Sequence, residues 1–256
     1  MPSSVKSMLQ QVIVYLLAGI TLLLILPTHS ALGAKAASIR LPVEFADHSV
    51  RIPFTGFSGY NRGNYQGGEF QGEFTRIESR LGVFDPLYVA NRGKSSFTIE
   101  QPIGTVRVAA DCRAIERTAT VRFVTLDLKK LVYSCEIDGL DLTADTRFVL
   151  GEPKREGFKE KLLARDRRIG EASVLGREFI FESVHEYQES KLNSQSPLGY
   201  LIHSDGELIA AVDLLDWSPI VHLYQDLTDT ERLGATIVAL ALAVLRDPAN
   251  SALEEL

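Results

Sequence analysis

The 256 residues contain two cysteines, one tryptophan and two methionines, and aromatic residues make up only 8%. So little cysteine excludes a disulfide-stapled miniature, while 19 glycines and 10 prolines are too few for a collagen or a low-complexity tail. Positive charge is also in deficit. Lys and Arg number 27 against 33 Asp and Glu, a formal net charge of −6. Such a surface on average repels phosphate and offers no counterion-release gain, which excludes nucleic acid as a partner. What is present is 45% hydrophobic residues, enough for one sizeable core and too many for an intrinsically disordered chain.

The apolar residues are unevenly spread. Lys6 precedes an almost unbroken apolar run over residues 12–26, which Pro27 ends before the small residues Ser30, Ala31, Gly33, Ala34 and Ala36. This is the layout of a secretory signal peptide, with Ala34-Lys35-Ala36 reading as an A-x-A cleavage site. The run is shorter than the roughly 20 residues that cross a bilayer comfortably, so an uncleaved anchor is the lesser alternative. Residues 1–36 are therefore expected to be a signal peptide and residues 37–256 a single exported domain, periplasmic or secreted. Removing Lys6 and Lys35 and no acid leaves 25 basic and 33 acidic side chains on 220 residues, a net −8. Membrane contact is expected only if the N-terminal segment stays on.

From Arg40 to Tyr224 short alternating runs broken by turn residues predict an all-β body. Residues 106–112, 119–126 and 131–137 read as three successive strands. Residues 169–174 and 178–186 flank a short loop, Leu175-Gly176-Arg177, and residues 199–203 and 207–213 flank Ser204-Asp205-Gly206, where Asp-Gly suits a tight hairpin. A further strand covers residues 220–224. Cys112 and Cys135 are expected to pair in an oxidising compartment. On the first and third strands of a meander, however, they would stand about twice the ~4.8 Å strand spacing apart, beyond disulfide reach unless the sheet folds over.

The end of the chain changes character. Thr228-Asp229-Thr230-Glu231 is a capping box, and the run from Arg232 to Arg246 carries no charge between its two arginines before Pro248 stops it. A helix over about residues 229–246 with no polar face must be buried on every side. Its uncharged part, residues 233–245, would span about 20 Å at 1.5 Å per residue, short of the ~30 Å hydrocarbon layer, so it is a core helix. The predicted fold is mainly β, an antiparallel barrel or strongly curved sheet packed around one buried C-terminal α-helix. This arrangement of the helix over residues 228–246 with the strands of residues 198–224 leading into it resembles the tubby, phospholipid-scramblase and LURP-one-like barrels. In those families a closed antiparallel barrel encloses a hydrophobic C-terminal helix.

Motifs for chemistry are sparse. Gly93-Lys94-Ser95 has the end of a phosphate loop, but the glycine required five residues earlier is Tyr88, so nucleotide is not expected. Gly56-Phe57-Ser58-Gly59 fails as a nucleophile elbow because its second glycine falls one residue early. No two histidines have zinc-ligand spacing, so neither metal nor other cofactor is implied. Strand alternation over residues 178–186 places Phe181, His185 and Tyr187 on one face and Glu182 and Glu186 on the other. The glycine- and aromatic-rich residues 56–74 offer a binding surface through Tyr60, Tyr65 and Phe70, or else bulged strands with aromatic cover. Basic side chains, Arg167 and Arg168 among them, concentrate over residues 152–171 among interspersed acids, as in a solvated loop or, alternatively, a surface for anionic lipid or polysaccharide. The leading expectation is a non-enzymatic exported protein, a binding or envelope-associated structural domain with a glycan, lipid or protein ligand. The alternative is an exported hydrolase whose site is assembled from separate strands, with His185, His203, Asp213 and Asp226 the polar residues to inspect.

Overall fold

In a computed structural model of the chain, the residues described are 37–57, 61–82, 89–100, 107–115, 128–139, 146–153 and 166–245. Among them twelve strands form one antiparallel sheet: β1 (Ser49–Pro53), β2 (Arg62–Gly67), β3 (Phe70–Gly82), β4 (Val89–Glu100), β5 (Arg107–Ile115), β6 (Leu128–Asp138), β7 (Arg147–Pro153), β8 (Ile169–Val174), β9 (Arg177–Val184), β10 (Gly199–Ser204), β11 (Glu207–Asp213) and β12 (Ile220–Tyr224). Each strand from β2 to β11 pairs with its successor, and β1 pairs with β12. The remaining edges meet just beyond β1, where Thr55 and Gln66 exchange backbone hydrogen bonds of 2.9 and 3.0 Å. The sheet is thus a nearly closed barrel, and the predicted mainly-β fold around a C-terminal helix is the one observed.

Side-chain alternation sets which face is inside. In β9, Phe179 and Phe181 are buried while Glu178, Ile180 and Glu182 are exposed. In β5, Val108, Ala110 and Cys112 point in, and Arg107, Asp111 and Arg113 point out. An apolar interior behind a polar outer wall is the reverse of a lipid-spanning barrel, which is apolar outside.

The helix α2 (Asp229–Val244) occupies the interior. Its first turn closes the expected capping box: Glu231 N–H donates to Thr228 Oγ1 at 3.4 Å and Thr228 N–H to Glu231 Oε2 at 2.8 Å. Every residue from Leu233 to Val244 is buried, and the helix packs against β3, β4 and β8 to β12. Burying side chains such as Ile237, Leu240 and Leu242 stabilises the fold by roughly 1.5–3 kcal/mol each. Gly234 lets the wall approach: a Cβ there would stand 2.8 Å from the Phe179 ring. The far end of the helix is capped from β3. Arg76 donates through Nε to the Val244 carbonyl at 3.1 Å and through Nη2 to that of Ala243 at 2.9 Å, and its guanidinium lies over Phe74 and Phe57. A cation on otherwise orphaned C-terminal carbonyls also complements the helix dipole.

Two expectations need correction. Cys112 and Cys135 are not two strands apart, because β5 and β6 are direct neighbours with these residues opposite one another, Cα atoms 4.0 Å apart, and they form a buried disulfide. The strand expected at residues 119–126 lies outside the described residues. The aromatics proposed as a surface face the interior: Tyr65 and Phe70 are buried, and Tyr65 Oη donates to the Thr98 carbonyl. The bulky rings turn inward because the glycines leave space for them; a Cβ on Gly67 would meet the Phe54 ring at 2.5 Å. Tyr60 lies outside the described residues.

A strap from the N-terminal side crosses the outside of β9 to β11. Ile39, Leu41 and Phe45, the last on the short helix α1 (Val43–Asp47), pack with Val184, Leu198 and Ala211 as a second apolar cluster. Backbone bonds of 2.8 Å from Arg40 N to Glu186 O and from Gln188 N to Ser38 O hold it in place.

Candidate functional site

β9 ends at Val184, and with it the strict alternation of side chains. The chain turns along the strap, and Ser194 N–H bonds back to the His185 carbonyl at 2.8 Å. Between this turn, the strap and the residues preceding β8 lies a cleft of about 470 Å³. Arg40, Arg167, Glu182, Ser183, His185 and Glu186 give it polar walls, and Leu41, Pro42, Val184 and Leu201 give it apolar ones. Glu182 and Glu186 border the same space as His185.

His185 is the ordered centre of the cleft, only 4% exposed. Its Nε2 lies 2.9 Å from Ser183 Oγ and its Nδ1 3.3 Å from the Ser194 carbonyl oxygen. A carbonyl only accepts, so in the neutral ring Nδ1 carries the proton and Nε2 accepts from the Ser183 hydroxyl. Ser183 Oγ in turn accepts the Arg168 N–H at 2.9 Å. The Arg168 side chain is buried and paired with Glu152 at 3.4 Å, which anchors the segment that brings Arg167 to the rim. The Arg167 and Glu182 side chains are exposed and 3.7 Å apart, a pair that contributes little stability but leaves charge at the mouth.

Of the four polar residues selected from sequence, His185 alone borders this cleft. His203 lies on the outer side of β10, in register with Ile180 and Leu208. Asp213 is buried at the end of β11, where Oδ2 accepts from Ile39 N–H and Oδ1 from Leu215 N–H, both at 3.0 Å. Burial holds its carboxyl above the ordinary value of 3.8, against the lowering effect of those two bonds. Its role is to pin the strap. Asp226 is exposed in the turn before α2. A histidine not selected, His222, stands beside Arg51 across β1 and β12; burial first and Arg51 second push it down to about 4.

Ser183, Arg40 and Arg167 were not selected from sequence. Ser183 carried a legible signal, since two residues before His185 it shares that strand face, and Arg167 lies in the basic run over residues 152–171. Arg40 and Arg167 reach the cleft only through the strap and the β7 to β8 connection. Among the described residues no group of three or more His, Cys, Asp or Glu could hold a metal ion, and no helix is long and apolar enough to cross a membrane. Gly93, Lys94 and Ser95 sit within strand β4, with Ser95 Oγ 2.6 Å from Tyr133 Oη. No family model, curated protein or solved structure matches the chain.

Proposed function

We propose that the protein is an exported, envelope-associated binding domain whose ligand is a glycan held in the cleft beneath the strap. The reading rests on one observation, the mixture of arginine, carboxylate, imidazole and hydroxyl groups around a 470 Å³ space with an aliphatic floor. Sugar hydroxyls need donors and acceptors side by side, and a uronate-bearing sugar would meet Arg40 and Arg167. The filled barrel favours this over a lipid tail, because α2 and the inward-facing rings take up the interior where a tail would lodge. A buried disulfide is consistent with an oxidising compartment. Kinship with the tubby, scramblase and LURP-one-like barrels is supported by the nearly closed sheet around a helix and would carry architecture only, since fold transfers function poorly.

Calorimetric titration of neutral and uronate-containing envelope oligosaccharides tests the proposal. Saturable binding of the uronate-containing set, weakened about tenfold or more by Arg167→Ala, is the expected result. Failure of every oligosaccharide to bind, or binding indifferent to Arg40→Ala and Arg167→Ala together, would overturn it.

A further inference from the structure

We infer that the same cleft also cleaves esters, with Ser183 as nucleophile, His185 as its base, and an O-acylated sugar as substrate. The sugar as leaving group rests on the glycan reading above; the nucleophile does not. A serine becomes reactive when a base lies within hydrogen-bond reach and a third group orients that base. Here Ser183 Oγ is 2.9 Å from His185 Nε2, and the Ser194 carbonyl at 3.3 Å from Nδ1 fixes the tautomer in which Nε2 is unprotonated and accepts from the hydroxyl. The Arg168 N–H that donates to Ser183 Oγ at 2.9 Å fixes the hydroxyl oxygen in place, so that its own proton points to Nε2. His185 is 4% exposed, so its ring is held by the surrounding structure and not by solvent.

The walls divide the work. Leu41, Pro42, Val184 and Leu201 suit a short acyl chain, while Arg40 and Arg167 line the same space and offer cations to acidic groups on the sugar. A volume of about 470 Å³ lies within the range of small-ligand sites. Ser183 Oγ attacks the ester carbonyl carbon as its proton passes to Nε2. The C–O bond to the sugar then breaks, and the sugar oxygen takes that proton. Water attacks the acyl-serine, giving its proton to Nε2, and the carboxylic acid leaves as the proton returns to Ser183.

The experiment treats the exported protein with a fluorophosphonate probe and maps the modified peptide by mass spectrometry. Turnover of p-nitrophenyl acetate and of an O-acetylated oligosaccharide is followed in parallel. Covalent label on Ser183, with turnover lowered ~10²-fold or more by Ser183→Ala and by His185→Gln at an unchanged melting temperature, is the expected result. An unlabelled Ser183, or hydrolysis that Ser183→Ala retains, would overturn the nucleophile. Should Ser183→Ala fail to fold, the label on the unaltered protein decides alone. Labelling with p-nitrophenyl acetate turnover but an inert O-acetylated oligosaccharide overturns the substrate class. Oligosaccharide binding with no label leaves the glycan reading standing and removes the catalysis.

Discussion

Replacing Arg76 with methionine tests whether the buried helix depends on a cation supplied by the barrel wall. The substitution keeps an unbranched apolar stem but removes the bonds of 3.1 and 2.9 Å to the Val244 and Ala243 carbonyls. It also removes the guanidinium 4.7 Å from the Phe74 ring centroid and 5.5 Å from that of Phe57. Hydrogen bonds from a charged donor are each worth about 1.5–3 kcal/mol, and a cation over an aromatic face adds ~0.5–2 kcal/mol. Against these stands the desolvation of the guanidinium itself, which methionine avoids. The net loss comes to ~3 kcal/mol, and at about 2–4 °C per kcal/mol for a domain of this size, Arg76→Met should melt roughly 6–12 °C lower. Arg76→Lys keeps the charge without the planar fork and should recover about half of the loss. Thermal unfolding followed by circular dichroism reads both variants. An Arg76→Met protein within about 2 °C of the parent would refute the reasoning, since two interior carbonyls would then have lost their donor at no cost.

His222 gives a pH dependence of definite sign. Burial lowers its folded-state pKa from 6.5 to about 4, so between those values the unfolded chain binds the proton and the folded one does not. Its contribution is complete above 6.5 and lost as pH falls towards 4. The urea midpoint of the parent should therefore drop more steeply across this window than that of His222→Asn, and equal slopes would count against the assignment. The Cys112–Cys135 bridge closes a sequence separation of 23 residues, which by loop entropy is worth roughly 3 kcal/mol. Replacing both cysteines with alanine should lower the melting temperature by about 6–12 °C, and peptide mapping without reductant should recover the linked pair; two free thiols would remove the bridge.

Local chemistry made several elements legible before the fold was known. Asp205 and Gly206 adopt the positive φ values, 53° and 83°, that their turn requires, so β10 and β11 lie where the Asp-Gly signal placed them. β12 covers residues 220–224 and β8 residues 169–174 as expected, and the capping box starts α2 at Asp229. The Leu175 to Arg177 loop is one residue shorter than expected, because Leu175 and Gly176 both take positive φ and Arg177 already belongs to β9. Non-local facts were illegible. Arg76 looks like any strand-surface cation until the helix end arrives opposite it, some 168 residues later. The inward turn of Tyr65 and Phe70 depends on the closing of β1 towards β2, and the cleft exists only where the strap, the end of β9 and the segment before β8 meet. Alternation identifies faces, but it does not say which face a closing sheet turns inward or where a strand stops.

The order of strands places a constraint on how the chain can be made. Hairpins from β2 and β3 through β10 and β11 can form in sequence as synthesis proceeds. β1 must wait for β12, its partner far along the chain, and the interior is not filled until α2 is complete. A chain halted anywhere before residue 220 would be an open sheet with its apolar face and both edges unprotected. Loss of the last twenty-odd described residues should thus produce degradation or aggregation instead of a shortened protein, and the C-terminal helix acts as the final checkpoint of assembly.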